Sequence, residues 1–141
     1  MCIRDSFLLA GGMLSIMIFF ATTVPSRSGV FFTDRKRYQR LAFPGKAQDV
    51  ELAMLRIMGS YQQCDSYRNV ALSDIEELTT ADDPGIRFLG HFNLICRQVE
   101  MGGRIDSQVQ ADYVAAGKHV SAALVKAYDV ELESTNASFT V

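Results

Sequence analysis

Residues 81–103, ADDPGIRFLGHFNLICRQVEMGG, carry signals for both ends of one helix. Asp83 suits the N-cap and Pro84 the first turn, because the first backbone N–H groups of a helix need an acceptor and proline has no N–H group. Gly102 or Gly103 suits the C-terminal stop. Between these ends the apolar residues recur at helical spacing on one face: Phe88, Leu89, Phe92, Ile95, Cys96 and Val99. The stretch therefore predicts an amphipathic helix whose apolar face must pack against other helices.

Other stretches on both sides are also predicted to be helical. The helix that follows residue 46 has its apolar residues at the i, i+3, i+4, i+7 spacing: Val50, Ala53, Met54, Ile57, Met58 and Tyr61. Ser73 and Glu76 have the spacing of a capping box, which predicts a short helix. Asp106 or Ser107 begins a last long helix with one apolar stripe: Val109, Tyr113, Ala116, Val120, Leu124 and Ala127. We therefore expect an all-α fold, with a bundle of three or four helices over 47–128 and a flexible tail over 129–141.

Residues 7–24, FLLAGGMLSIMIFFATTV, form an apolar run without a charged residue. As a helix the run would measure about 27 Å, close to the thickness of the hydrocarbon core of a bilayer. It therefore predicts an N-terminal transmembrane helix ahead of the bundle. Gly11 and Ser15 form a small-xxx-small pair at which a second membrane helix could approach, although small residues are common in such helices. A signal peptide that has lost its charged start is the alternative, which the poor cleavage site in FATTVPS does not favour.

Charge is distributed unevenly along the chain. Residues 25–46 hold six basic residues and one acidic residue, a net charge of +5, whereas 47–141 hold seven basic and fourteen acidic residues, a net charge of −7. A basic juxtamembrane segment after an apolar run indicates, by the positive-inside rule, a single-pass membrane protein whose C-terminal body is cytoplasmic. Ordinary positive-inside bias explains the segment, and contact with anionic lipid headgroups is the functional alternative for Arg35, Lys36, Arg37 and Arg40. The acidic body argues against nucleic-acid binding.

Residues that commonly bind metals or act as nucleophiles are few and unfavourably spaced. The cysteines and histidines at 64, 91, 96 and 119 have none of the spacings of zinc sites. Cys96 lies on an apolar stripe, where a cysteine is most simply a small buried hydrophobe. Helix capping and solvation explain the acidic residues of 74–83 better than a calcium or acid–base site does. We therefore expect no catalytic residue, no metal and no cofactor.

Two resemblances add to this prediction. Residues 1–6, MCIRDS, resemble a translated transposon sequencing adapter, which implies that they are not native and that the natural chain continues upstream of Phe7. The segment GIRFLGHFNLICRQVEMGGRIDSQ, a helix followed by Gly103 to Asp106 and another helix, resembles an uncharacterised family of bacterial single-span membrane proteins. Members of that family have one N-terminal membrane helix, a basic juxtamembrane stretch and a small helical cytoplasmic body. The resemblance implies an architecture and no activity.

These patterns favour a non-enzymatic function. The first hypothesis is a helical module anchored in the lipid bilayer that acts by self-association or by contact with an unidentified protein. The second is the C-terminal fragment of a larger polytopic transporter or membrane enzyme, which further hydrophobic spans upstream of residue 7 would support. The third is an exported helical protein with a cleaved signal peptide, which a basic segment upstream of residue 7 would support.

Overall fold

The computed structural model describes residues 11–19, 27–28, 31–32, 34–102 and 104–139, and these are helical apart from turns and one short ladder. The ladder pairs β1 (Arg27–Ser28) with β2 (Phe31–Phe32) in antiparallel orientation. Residues 11–19 are helical and belong to α1. Six helices follow, with a 3-10 turn (Tyr67–Asn69) between the second and third of them: α2 (Asp34–Ala42), α3 (Lys46–Cys64), α4 (Leu72–Thr79), α5 (Pro84–Glu100), α6 (Ser107–Gly117) and α7 (Ala122–Phe139).

Helix α5 has the two ends that the sequence predicts. The Asp83 carboxylate accepts hydrogen bonds from the backbone N–H groups of Gly85 at 2.9 Å and Ile86 at 3.1 Å, and Pro84 is the first helical residue. Gly102 follows the helix with a φ of 74°, in the left-handed region that glycine adopts without strain. Because both end signals act within a few residues, the ends of α5 are predictable from the sequence.

The hydrophobic core consists of two clusters that share α5. The first cluster joins α3 and α4 to the start of α5: Val50, Ala53, Met54, Ile57, Val70, Ile75, Leu78, Ala81 and Ile86. The second joins the rest of α5 to α6, with partly buried side chains of α7 packed against it: Phe88, Phe92, Ile95, Cys96, Val99, Tyr113 and Ala116. Helix α5 is therefore the central element of the bundle, and most of its residues are buried or half-buried.

Helix α4 lies unusually close to α5 because Gly90 has no side chain. A Cβ atom at this position would lie 2.6 Å from the backbone nitrogen of Thr79 and 2.8 Å from the carbonyl carbon of Leu78. Such distances are far inside van der Waals contact, so only glycine permits this approach. The approach places the fully buried Ile75 and Leu78 in one cluster with Ile86 of α5.

The predicted last helix is instead two helices. Helix α6 ends at Gly117 and α7 begins at Ala122, with Ser121 before it accepting the N–H of Leu124 through both its hydroxyl and its carbonyl oxygen. Helix α7 then continues to Phe139, through residues that were expected to form a flexible tail. Residues 122–139 contain neither glycine nor proline, the two residues that most disfavour a helix. The all-α class is confirmed, whereas the bundle has more helices than the three or four predicted.

The predicted transmembrane helix over 7–24 is wrong. Within the described ranges, no helix combines the length and the apolar character needed to cross a bilayer. Positions 7–10 and 20–24 of the predicted span lie outside the described residues, as do residues 1–6. The single-pass membrane location that rested on this span is not supported.

Candidate functional site

Residues of α3, the 3-10 turn, α5 and α7 surround a cavity of about 510 Å³. Small-molecule sites in proteins commonly have volumes of roughly 300–1,000 Å³. We call it the Tyr–Glu cavity, and nine residues line it: Tyr61, Tyr67, Leu89, Phe92, Cys96, Glu100, Ala127, Tyr128 and Glu131. Tyrosines from three different elements meet here, although they are far apart in the sequence.

Helix α5 supplies one row of the lining. Leu89, Phe92, Cys96 and Glu100 lie at positions i, i+3, i+7 and i+11, which share one face of a helix. The first three are apolar and the fourth is a carboxylate at the last residue of α5. The row therefore changes from apolar to acidic along the helix.

Two aromatic pairs contribute most of the remaining lining. Tyr61 and Tyr67 pack with ring centroids 4.7 Å apart at an interplanar angle of 43°. Phe92 and Tyr128 pack with centroids 4.6 Å apart at 71°, close to an edge-to-face arrangement. Tyr128 also meets Phe88 of the core edge-on at 5.6 Å. Because each pair joins two elements, the aromatic side chains are held in place by packing rather than projecting singly.

Glu100 is the buried polar group of the cavity, with 6 % of its surface exposed. Its Oε2 accepts hydrogen bonds from the Ser66 hydroxyl at 2.6 Å and from the backbone N–H of Tyr67 at 2.7 Å. Its backbone carbonyl oxygen accepts a further bond from Arg68 Nε at 2.7 Å. Oε1 has no hydrogen-bond donor among the described residues, so one carboxylate oxygen remains available on a side chain that lines the cavity.

The ionisable groups of the lining show that the cavity disfavours negative charge. Burial and, to a smaller extent, the charges of the Glu100 and Glu131 carboxylates raise the pKa of the Cys96 thiol to about 12. Burial also raises the pKa of Tyr128, with Glu131 adding to the effect. In each case an anion would form in an apolar surrounding next to an existing negative charge. Both groups therefore stay protonated at neutral pH.

Cys96 is a structural side chain in this arrangement. It is buried, as its position on the apolar stripe predicts, and its raised pKa leaves almost no thiolate at neutral pH. Cys64, in contrast, is exposed at the end of α3. In the described part of the chain, no group of three or more His, Cys, Asp or Glu side chains is placed to hold a metal ion.

His91 lies on α5 but does not line the cavity. Burial lowers the pKa of its imidazole, an effect that Asp112 opposes and Arg87 reinforces. Its Nδ1 is buried without a hydrogen-bond partner among the described residues. The ring is therefore uncharged at neutral pH and belongs to the opposite side of α5.

A second concavity of about 580 Å³ lies between α6 and α7. Its lining includes Val114, Val125 and two lysines, Lys118 and Lys126. The one aromatic hydroxyl there, that of Tyr113, already donates to Asp129 Oδ1 at 2.9 Å. This surface therefore lacks the buried polar group with a free acceptor that distinguishes the Tyr–Glu cavity.

The basic residues predicted to contact lipid divide into two groups in the structure. Arg37 and Arg40, three residues apart on α2, bind the Glu51 carboxylate of α3, which is 1 % exposed. Arg35 and Lys36 are exposed. Because 37 and 40 share one face of a helix, these two residues of the basic segment form a partly buried ion-pair cluster with Glu51. Contact of Arg35 and Lys36 with lipid stays a prediction.

The predicted helix-packing pair, Gly11 and Ser15, lies on α1. The Ser15 hydroxyl donates to the Gly11 carbonyl oxygen at 2.9 Å, a bond within the helix itself. A Cβ atom on Gly11 would meet nothing within 4 Å. In the described residues, therefore, no second helix approaches α1 at this position.

The residues of the Tyr–Glu cavity were missed as a site at the level of sequence. Local patterns place Tyr61, Cys96 and Ala127 on apolar stripes, where they are indistinguishable from ordinary core residues. The one local signal is that the stripe through Leu89, Phe92 and Cys96 continues onto a carboxylate at 100. No protein-family model, curated protein or solved structure matches the chain.

Proposed function

We propose that this chain is a non-catalytic binding module that holds a small molecule in the Tyr–Glu cavity. The observation that carries the proposal is the combination of volume and lining. About 510 Å³ is bordered by four aromatic rings and by a buried carboxylate with one oxygen unused by the protein. Ligand sites typically combine an apolar lining with a few placed polar groups.

The chemistry of the lining favours binding over catalysis. The nucleophile candidate, Cys96, is buried and protonated, and no histidine lines the cavity to act as its base. Glu100 is engaged by Ser66 and Tyr67 through one oxygen, which fixes its position as a binding group. Contact with a second copy or with another protein stays a prediction that these distances do not address.

The proposal is tested with N-phenylnaphthylamine, an uncharged dye whose fluorescence rises in apolar surroundings. Titration into the full chain is expected to give a saturable rise with one site. Ala127→Phe places a ring in the cavity from an exposed position on α7 and is expected to weaken binding by about tenfold or more. Ala123→Phe, one turn earlier on the same helix and outside the lining, is the matched control and is expected to bind as the unaltered chain does.

Circular dichroism of both variants verifies that they remain folded. Because positions 123 and 127 are both exposed, neither substitution disturbs the core. A linear, non-saturable response, or equal binding by the two variants, would contradict the proposal.

A further inference from the structure

The charge of the Tyr–Glu cavity is of one sign. Glu100 and Glu131 are carboxylates, and no lysine, arginine or histidine is among the lining residues. Arg68 binds the backbone carbonyl oxygen of Glu100 and is not among the lining residues. The end of α5 at Glu100 adds the partial negative charge of a helix C-terminus. A positively charged ligand would therefore complement the cavity, whereas an anion would be repelled.

The pKa values of three lining residues are raised by burial and, to a smaller extent, by nearby carboxylates. Burial raises the pKa of Tyr61, and the charges of Asp65, Glu100 and Glu131 raise it further. Burial also raises the pKa of Cys96 on α5, with Glu100 and Glu131 adding to the effect, and the pKa of Tyr128 on α7, with Glu131 adding to it. Burial is the largest cause of each of these shifts, and the smaller contribution of the carboxylates has the sign expected where a cation is preferred.

The aromatic rings supply the second feature that a cation needs. The faces of tyrosine and phenylalanine rings attract cations through their quadrupoles, and this attraction grows when water is excluded. The Tyr61–Tyr67 pair and the Phe92–Tyr128 pair both line the cavity, on different elements. Aromatic rings together with carboxylates are the chemistry by which proteins bind organic ammonium ions.

We infer that the ligand of the Tyr–Glu cavity is a free organic ammonium ion with an apolar body. The ammonium group interacts with the Glu100 and Glu131 carboxylates and the tyrosine rings, and the apolar body contacts the Leu89 and Phe92 part of the row on α5. The inference rests on the proposed binding function and specifies its ligand class. A free molecule is assigned because Glu100 is 6 % exposed, deeper than a headgroup held on a flat surface would reach.

The test compares two molecules of the same shape, para-(trimethylammonio)benzyl alcohol and para-tert-butylbenzyl alcohol, which differ only by a charged nitrogen in place of a carbon. Isothermal titration of the full chain is expected to show about tenfold tighter binding of the cation. Glu131→Gln is expected to reduce the affinity for the cation by about three- to tenfold and to leave the affinity for the uncharged analogue unchanged. Glu133→Gln, on the exposed surface of α7 outside the lining, is the matched control and is expected to change neither.

The outcomes separate the inference from the function on which it rests. Equal affinity for the cation and its analogue, with N-phenylnaphthylamine still bound, overturns the ligand class and leaves the binding function in place. Failure of all three molecules to bind overturns both. Phosphatidylcholine vesicles present the same ammonium group on a surface, and no flotation with them is expected. Flotation that Glu131→Gln abolishes would overturn the assignment to a free ion.

Discussion

The backbone N–H of Tyr67 donates a 2.7 Å hydrogen bond to the Glu100 carboxylate, although the two residues are 33 positions apart in the chain. The contact attaches the 3-10 turn to the last residue of α5, and the Ser66 hydroxyl binds the same oxygen. One buried carboxylate therefore both organises the turn that carries Tyr67 and contributes the negative charge of the cavity. Glu100 therefore contributes both to the stability of the fold and to the proposed preference for a cationic ligand.

Replacing Glu100 with alanine is expected to lower the free energy of unfolding by about 2–3 kcal/mol, because two donors next to a buried site lose a charged acceptor. The loss is measured by urea denaturation followed by far-ultraviolet circular dichroism. Glu133→Ala, on the exposed face of α7, is expected to change stability by less than about 0.5 kcal/mol. Equal losses in the two variants would show that the Glu100 bonds contribute nothing beyond a surface carboxylate.

Two glycines in helices are expected to respond oppositely to substitution by alanine. Gly90→Ala places a Cβ atom 2.6 Å from the backbone nitrogen of Thr79 and should destabilise the fold by about 1–3 kcal/mol, since α4 must move away from α5. Gly59→Ala on α3 meets nothing within 4 Å and should stabilise it by about 0.5–1 kcal/mol through better helix propensity. Thermal midpoints that shift in the same direction for both variants would contradict the close approach.

Gly90 also illustrates which parts of the fold a sequence can predict. The ends of α5 were predictable because the effects of Asp83, Pro84 and Gly102 on the backbone reach only a few residues along the chain. The approach of α4 to Gly90 was not, because it depends on how two helices pack. The cavity was missed for the same reason, because Tyr61 and Tyr128 line one cavity only once the helices have packed.

Two predictions from sequence patterns were wrong. The apolar stripe after Asp106 continues in register through Val120, so spacing alone could not reveal the break between α6 and α7 that Gly117 and Ser121 permit. The uncharged run over 7–24 has the composition of a membrane span, but no helix in the described part of the chain is both long and apolar enough to cross a bilayer. Both errors come from patterns that are necessary for the predicted element and not sufficient for it.

The ion pairs of Glu51 give a prediction that distinguishes structural from surface arginines. Replacing Arg37 and Arg40 together with glutamine is expected to lower the free energy of unfolding by about 3–5 kcal/mol, because the 1 % exposed Glu51 carboxylate loses both cations. Adding Glu51→Gln to that double variant should restore part of the loss, since the buried charge itself is removed. Urea denaturation of the three chains forms the cycle.

Lys36→Gln is the control for this cycle, because Lys36 lies on α2 immediately before Arg37 but is exposed. Its effect is expected to remain within about 0.5 kcal/mol. If the triple variant were no more stable than the double variant, the loss could not be assigned to an uncompensated carboxylate.

The free energy of unfolding is also expected to fall at alkaline pH, because the pKa of Tyr113 is raised in the folded protein. Burial raises the pKa of its phenol, and the hydrogen bond that it donates to Asp129 over 2.9 Å raises it further. In the unfolded chain a tyrosine ionises near pH 10. Above that pH the unfolded state has released a proton that the folded state still holds, so each increase in pH favours unfolding. The contribution is complete below pH 10 and is lost as pH rises toward the folded pKa.

Urea denaturation between pH 7 and pH 11.5 checks this expectation by comparing the slope of the unfolding free energy above about pH 10 in the unaltered chain and in Tyr113→Phe. The variant lacks the ionising phenol, so its slope should be shallower by up to about 1.4 kcal/mol per pH unit. At pH 7 the same variant should be about 1–1.5 kcal/mol less stable, because Asp129 loses its donor. Identical slopes above pH 10 would mean that Tyr113 ionises as readily in the folded bundle as in the unfolded chain, which its burial at 6 % exposure opposes.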